Sequence, residues 1–232
     1  MDEPVAGSVA EKAVEEGTPE KQPPELQSPI VRRLWYPLAR NSMALLFFFL
    51  GPVRVRGKYR VPKTGGVLVL SNHLADVDPI VVQLACPRTI YFMAKSELFG
   101  MRILGDILRS FRAFPVKRGE PDRAALRRAV DYLRMGQPVG VFPEGELSEG
   151  GELLPMKAGV ALIARMADVP VICLGIKGTN RILPYGSLLP RPAFGGVEAI
   201  WGEPRHFEKG TDAEEILAWA EGQLRELTGQ VS

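Results

Sequence analysis

The chain has 232 residues, of which 24% are charged and 46% are hydrophobic, so it is long enough for one sizeable globular domain with appendages. Its formal net charge is only +2. The two cysteines, Cys86 and Cys173, lie far apart in apolar sequence, which argues against a disulfide framework and a zinc site and predicts buried free thiols.

The first 29 residues differ in composition from the rest of the chain. Residues 1–28 carry seven acidic residues and two lysines, so the remaining chain holds 27 basic and 20 acidic residues. Abundant Pro, Glu, Ala and Gly predict a disordered acidic leader over residues 1–29, and no basic stretch precedes an apolar run as it does in a signal peptide. The basic body suits an anionic partner, such as a phospholipid surface, a phosphorylated substrate or nucleic acid.

Residues 30–52 combine arginines, an aromatic pair and a short apolar run. Trp35 and Tyr36 lie among three arginines, and residues 43–50 are almost wholly apolar, a run far shorter than the ~20 residues needed to span a bilayer. We predict a helix that lies in the membrane interface. The alternative is a terminal helix that packs its phenylalanines on the domain core, although the three at 47–49 cannot all face one core.

Further along the chain, short apolar strands alternate with amphipathic helices. Strands are predicted at residues 53–56, 66–70, 90–94, 138–142, 170–176 and 197–201. The spacing of apolar residues predicts helices at 121–135, 155–167 and 212–227. This order predicts an α/β domain whose sheet is covered by helices.

His73 is one of only two histidines, and it follows a predicted buried strand. With Asp78 as N-cap and Pro79 as the first residue of the next helix, residues 71–77 form a loop at the carboxyl end of that strand, where active sites of α/β sheets commonly lie. Such a loop can fold the Asp78 carboxylate onto the imidazole, which fixes the tautomer and leaves the other ring nitrogen as a base. The alternative is an N-capping Asp beside an incidental His.

Two further stretches hold candidate ligand contacts. The sequence Phe-Pro-Glu-Gly at 142–145 ends another apolar strand, and Glu144 beside Gly145 indicates either a contact with substrate or intermediate, or an ordinary turn. Lys117 and Arg118 precede a predicted helix, where cations oppose the helix dipole. An anion bound at the helix start would explain them, and a solvated basic turn is the alternative.

Four motifs, taken in order, resemble one family. NHLADVD at 72–78 matches an NHx4D motif, FPVKRG at 114–119 a block with an arginine, FPEG at 142–145 followed by a serine a third block, and VPVICLGIKGT at 169–179 an apolar Val-Pro block. These are the blocks of the glycerolipid acyltransferases, which include the 1-acyl-sn-glycerol-3-phosphate (lysophosphatidate) acyltransferases. The resemblance covers about residues 34–204.

The resemblance implies a glycerol-3-phosphate acyltransferase-like α/β domain over residues 53–232, with a mostly parallel or mixed sheet covered by helices. It implies acyl transfer from acyl-CoA or acyl carrier protein to the free hydroxyl of a lysophospholipid, with no metal or bound cofactor. By this resemblance His73 is the general base and Asp78 supports it. The implied substrate-binding residues are Lys95, Arg118, Glu144, Gly145, Ser148 and Lys157.

The same resemblance gives residues 30–52 the task of holding the active site on the membrane. The expected location is the cytoplasmic face, with the protein bound there as a peripheral or monotopic protein. The implied partners are a membrane phospholipid surface, a lyso-lipid acceptor and an acyl thioester donor. The chain carries no nucleic-acid recognition motif.

One departure from the family affects the acceptor. The family's third block reads FPEGTRS, whereas Glu146 and Leu147 stand here in place of Thr and Arg. A charged hydrogen bond contributes ~1.5–3 kcal/mol, so phosphate affinity falls unless Arg118, Lys157 or Lys177 compensates. Two alternatives stay open: another lyso-lipid or hydroxylated lipid as the acceptor, and a non-catalytic lipid-binding protein, against which the intact His–Asp pair argues.

Overall fold

The computed structural model describes residues 35–117, 122–187 and 189–230, so the predicted leader at residues 1–29 and Arg118 lie outside the described residues. The helices are α1 (Tyr36–Leu50), α2 (Asp78–Ala85), α3 (Arg102–Ser110), α4 (Arg123–Arg134), α5 (Gly159–Ala167), α6 (Thr179–Ile182) and α7 (Ala213–Thr228). The strands are β1 (Val53–Arg56), β2 (Val67–Ser71), β3 (Tyr91–Lys95), β4 (Ala113–Val116), β5 (Pro138–Val141), β6 (Val171–Lys177) and β7 (Val197–Trp201). Short 3-10 helices occupy Lys58–Arg60 and Ser96–Gly100.

These strands form one sheet in the order β1-β7-β6-β2-β5-β3-β4. Strands β2 to β6 are parallel to one another, whereas β7 runs antiparallel to β6 and parallel to β1. The ends of β2 to β6 and the starts of β1 and β7 therefore lie at the same edge of the sheet, here called the C-terminal edge. This mixed sheet with helices on both faces confirms the predicted fold class.

Both faces of the sheet contribute to the core. Strand β2 is buried along its whole length: Leu68 and Leu70 pack with α4, α5 and α7, whereas Val67 and Val69 pack with α1 and α2. A strand buried on both faces explains why its sequence is continuously apolar rather than alternating. Both cysteines are buried and free, as predicted.

The six predicted strands are all present to within one residue at each end, whereas β4, α3 and α6 were not predicted. Strand β4 contains Pro115 and lies at the edge of the sheet, the position where a strand tolerates proline. The helix predicted from residue 155 begins only at Gly159. The residues before it are tied to a neighbouring loop, because the Lys157 backbone N–H donates to Pro143 O at 2.8 Å.

Helix α1 occupies the described part of the segment predicted to lie in the membrane interface. One side packs on the domain, where Phe47 is buried and the Tyr36 hydroxyl donates to Gln83 Oε1 at 2.9 Å. The exposed large apolar side chains on and beside this helix are Trp35, Leu38, Leu45, Leu46, Phe48 and Phe49. Among the described residues, no helix has both the length and the apolar character needed to cross a membrane.

Candidate active site

The loop between β2 and α2 brings His73 and Asp78 together at the C-terminal edge. Asp78 is the first residue of α2 rather than its N-cap, and Val77 at the N-cap position makes no side-chain capping bond. The predicted capping role was wrong because the Asp78 carboxylate turns back into the loop. Its Oδ2 accepts the backbone N–H groups of Leu74 and Ala75, the latter at 2.8 Å, and contacts the imidazole of His73.

His73 and Asp78 form a buried pair. His73 Nδ1 lies 2.9 Å from Asp78 Oδ2, and the two residues are 4% and 0% exposed. An ionised carboxylate only accepts hydrogen bonds, so Nδ1 carries the proton and Nε2 keeps its lone pair. The Phe142 ring stacks on the imidazole with 4.0 Å between the ring centroids. The pair therefore has the tautomer and the fixed orientation that a general base requires.

Glu144 ties the His73 loop to the loop before α5. Its Oε1 accepts the backbone N–H of His73 and its Oε2 accepts that of Leu154, both at 2.8 Å. Burial raises the pKa of Glu144, and the two backbone hydrogen bonds act against that rise. Both carboxylate oxygens bind backbone groups. The structure therefore favours a role in which Glu144 shapes the acceptor pocket by holding the two loops together. Direct contact with the acceptor stays a prediction.

Asn72 fixes the start of the same loop, and sequence reasoning missed it. Its Nδ2 donates to Ile176 O at 2.9 Å, and its Oδ1 accepts the Ile176 N–H at 2.7 Å. Through these two hydrogen bonds, the Asn72 side chain continues the pairing of β2 with β6 beyond the end of β2. The signals in the sequence were its place as the first residue of the NHx4D motif and at the end of a buried-type strand, directly before His73. On the other side of the loop, the Ser148 N–H donates to His73 O at 3.0 Å.

The predicted cations follow His73 along the C-terminal edge. The strand order places the ends of β5, β3 and β4 successively beside β2, so Lys95 at the end of β3 and Lys117 after β4 lie at this edge. The Lys95 ammonium is half-exposed and 3.7 Å from Glu97. Arg118 comes directly after Lys117, and its contact with an acceptor phosphate stays a prediction.

The departure from the family motif lies beside the catalytic loop. Glu146 Oε1 is 3.7 Å from Lys157 Nζ, and both side chains are exposed. The Lys157 stem also crosses Gly145, where a Cβ would sit 3.3 Å from its Cε, and Gly145 has a φ of +75° that disfavours any larger residue. Lys157 therefore offsets part of the negative charge that Glu146 introduces.

An open depression of about 580 Å³ adjoins this loop. Its lining residues are Glu146, Leu147, Ser148, Glu149, Gly150, Glu152, Leu154 and Tyr185. The hydrogen bond to the Glu149 carboxylate and the charge of that carboxylate raise the pKa of Tyr185. The lining is thus acidic around Leu147, the position at which the family motif has an arginine.

The arrangement suits proton transfer from a hydroxyl group. His73 can take the proton at Nε2, and Asp78 can stabilise the imidazolium through Nδ1–H. Within the described ranges, no three His, Cys, Asp or Glu side chains are grouped as a metal ion would require. The chemistry available to these residues is therefore general base catalysis of attack by an oxygen nucleophile.

Comparisons with known proteins agree with this geometry. A family model described as Acyltransferase matches residues 52–177. A 1-acyl-sn-glycerol-3-phosphate acyltransferase of Bacillus subtilis is 30% identical over 172 residues, which is 74% of this chain and 82% of that protein. A protein of the same name from Borreliella burgdorferi is 27% identical over 153 residues, which is 64% of this chain and 60% of that protein.

A solved structure shares the fold. The crystal structure of the 1-acyl-sn-glycerophosphate (LPA) acyltransferase PlsC from Thermotoga maritima superposes with a TM-score of 0.72 at 25% identity, covering 85% of this chain and 80% of that one. The family match takes in β2, the His73 loop, β5 and the Glu144 turn, which are the elements that build the site. The chain therefore belongs to the acyltransferase family.

Proposed function

We propose that this enzyme transfers an acyl group from an acyl thioester to the free hydroxyl of 1-acyl-sn-glycerol-3-phosphate, forming phosphatidate. The observation that carries the proposal is the buried His73–Asp78 pair at the C-terminal edge, with Nδ1 and Oδ2 2.9 Å apart. The relatives' names supply the acceptor.

The reaction follows from the state of the pair. Nε2 of His73 takes the proton of the acceptor hydroxyl as its oxygen attacks the thioester carbonyl carbon. The tetrahedral intermediate then collapses, the C–S bond breaks, and the thiolate leaves with the proton that His73 returns. Asp78 stays ionised throughout and stabilises the imidazolium between the two transfers. General base catalysis of this kind contributes roughly 10²–10⁴-fold to the rate.

The donor is acyl-CoA or acyl carrier protein, since both present the thioester that the reaction needs. The enzyme itself supplies neither metal nor bound cofactor in this scheme. Arg118 and Lys95 contact the acceptor phosphate, and Lys157 adds a third cation near Gly145. Their positions along the C-terminal edge support this assignment for Lys95 and Lys157.

The enzyme works at a membrane surface, with α1 lying in the interface. Support comes from the exposed apolar side chains along α1, which include Phe48 and Phe49, while Phe47 and Tyr36 hold the helix on the domain. A peripheral or monotopic position on the cytoplasmic face brings the enzyme to a lipid acceptor and to a donor from the cytosol. A truncated protein that starts at Val53 should lose vesicle binding, and full retention would count against this placement.

A second candidate keeps the chemistry and changes the acceptor. Glu146 replaces a neutral residue, Leu147 replaces an arginine, and the depression beside them is lined by further carboxylates. This charge favours a lyso-lipid or hydroxylated lipid that lacks a terminal phosphate or carries a cationic group.

An acceptor panel separates the two candidates. The full chain is incubated with labelled acyl-CoA or acyl carrier protein and with lysophosphatidate, lysophosphatidylethanolamine or lysophosphatidylcholine. The proposal predicts the largest kcat/KM for lysophosphatidate with at least one donor. Turnover confined to acceptors without a terminal phosphate would overturn the acceptor and leave acyl transfer standing, whereas no turnover with any pair would overturn the proposed function.

A further inference from the structure

A second exposed apolar element lies beside α1, in the loop between α6 and β7. Residues 183–187 and 189–196, here called the rim loop, expose Phe194 and Leu189 to 97% and 82%. Two prolines, Pro190 and Pro192, restrict the backbone between these side chains. Exposing apolar side chains of this size to water is unfavourable, and the backbone between them is restricted. Their exposure therefore indicates a contact surface.

Backbone hydrogen bonds join the rim loop to the end of α1. The Ala193 N–H donates to Leu50 O at 2.6 Å, and the Val197 N–H donates to Pro52 O at 3.0 Å. Gly196 has a φ of +69°, and a Cβ there would lie only 2.6 Å from Pro52 O, so the junction requires glycine. Phe194 is therefore held next to the helix end that exposes Phe48 and Phe49.

The sheet topology places this junction on the active-site side of the molecule. β1 and β7 start at the C-terminal edge, and the rim loop and α1 lead directly into them. The same edge carries the His73 loop. At its other end the rim loop reaches the depression beside that loop, where Tyr185 forms part of the lining. The rim loop thus extends from the mouth of the candidate site to the exposed face of α1.

The end of the rim loop beside α1 has a charge that suits an anionic bilayer, whereas the acidic lining of the depression lies at the other end of the loop. The rim loop contains Arg191 and no acidic residue, and α1 contains Arg40 and no acidic residue. Arg191 is exposed, and its Nε donates to the carbonyl of Arg181, a second exposed arginine, at 3.3 Å. Exposed aromatic and aliphatic side chains flanked by arginines are typical of segments that enter the headgroup region.

We propose that the rim loop is a second membrane-contacting element, which inserts Phe194 and Leu189 into the interface beside α1 while Arg191 binds lipid phosphates. Two separate contacts hold the C-terminal edge against the bilayer, so a lipid acceptor reaches His73 along a short path. The inference rests on the proposed function only in that the acceptor is a lipid.

Tryptophan fluorescence tests the insertion directly. Phe194→Trp is made in full-length protein that also carries Trp35→Phe, which removes the exposed tryptophan beside α1. The other two tryptophans stay as a constant background, because Trp201 is fully buried and Trp219 packs against Phe207 with ring centroids 5.3 Å apart. With vesicles of phosphatidylcholine and phosphatidylglycerol, emission should shift to the blue and brominated acyl chains should quench it.

Tyr59 provides the matched control. It is an aromatic residue 81% exposed in the 3-10 helix after β1, at the edge of the sheet opposite the candidate site. Tyr59→Trp in the same Trp35→Phe background should show neither the shift nor the quenching. Unquenched emission from Phe194→Trp, or equal quenching of both reporters, overturns the proposal, and so would a protein that does not bind these vesicles.

Vesicle partitioning gives the second readout. Phe194→Ser should weaken binding about tenfold, because a large apolar side chain no longer leaves water. Arg191→Gln should weaken binding to the mixed vesicles about fivefold and leave binding to pure phosphatidylcholine unchanged, and Tyr59→Ser should change neither. A quenching failure with acyl transfer intact overturns the rim-loop contact alone, whereas insertion of Phe194→Trp without acyl transfer to lysophosphatidate overturns the proposed function alone.

Discussion

Replacement of Asp78 by Asn tests the electrostatic support of His73 with a change of one atom. Asp78 is fully buried, and its Oδ2 accepts the N–H groups of Leu74 and Ala75 besides contacting His73 Nδ1. In Asp78→Asn the amide oxygen can keep both backbone donors and the contact with His73 Nδ1, and the NH₂ group then takes the place of Oδ1, which is buried without a hydrogen-bond partner among the described residues. His73 keeps its tautomer but loses the negative charge that stabilises the imidazolium.

The expected loss of rate is measurable in a protein that stays folded. Without the carboxylate charge beside the imidazolium, kcat/KM should fall by about 10–10²-fold, because a hydrogen bond to a charged group contributes ~1.5–3 kcal/mol. Hydrogen bonds to a charged acceptor are about 1 kcal/mol stronger than neutral ones, so the fold loses part of that stabilisation. Removing a fully buried charge offsets some of this loss. The variant should therefore stay folded at the assay temperature.

The assay is initial-rate acyl transfer with lysophosphatidate, with circular dichroism as the check on folding. Asp76→Asn is the matched control, since Asp76 lies exposed in the same loop, two residues away, and should keep its rate within a few-fold. A folded Asp78→Asn protein with nearly wild-type kcat/KM would refute the role of the pair. Equal losses in the two variants would refute the assignment to Asp78.

Three other results are expected. Glu144→Gln should unfold at a lower urea concentration, because its NH₂ group leaves one of the two backbone donors unpaired at ~1–3 kcal/mol. It should also lower kcat more than it changes KM. Glu149→Gln, at an exposed position, should do neither. Leu147→Arg should lower the KM for lysophosphatidate about tenfold by adding a phosphate ligand, and an unchanged KM would show that the phosphate lies elsewhere. Burial raises the pKa of Cys86 to about 11 and that of Cys173 further. A thiol reagent at pH 8 should therefore modify both cysteines only after unfolding. Rapid labelling of the native protein would contradict their burial.

The sequence predicted those features that depend on neighbours along the chain. The strand of residues 67–70 and the helix start near Asp78 bracket a short loop, so spacing allowed His73 and Asp78, five residues apart, to meet, and the family motif favoured the pair over an incidental His. The missed contacts join distant residues. Asn72 binds Ile176 across 104 positions and Glu144 binds His73 across 71, and local periodicity carries no information about such pairings.

Local sequence also failed to identify the strand at the edge of the sheet. Strand β4 is four residues long and includes a proline, so neither alternation nor an apolar run identified it. No sequence pattern singled out the rim loop. Its position beside α1 depends on the antiparallel placement of β7 next to β6, which only the assembled sheet determines.

Acyl transfer to lysophosphatidate by His73→Ala, measured beside the wild-type protein with labelled donor, tests the role of the His–Asp pair most directly. Wild-type protein should form labelled phosphatidate, and the folded variant should lose about 10²–10⁴-fold or more in kcat/KM, because it lacks the imidazole that takes the hydroxyl proton. A folded His73→Ala protein that forms phosphatidate at the wild-type rate would contradict general base catalysis by His73.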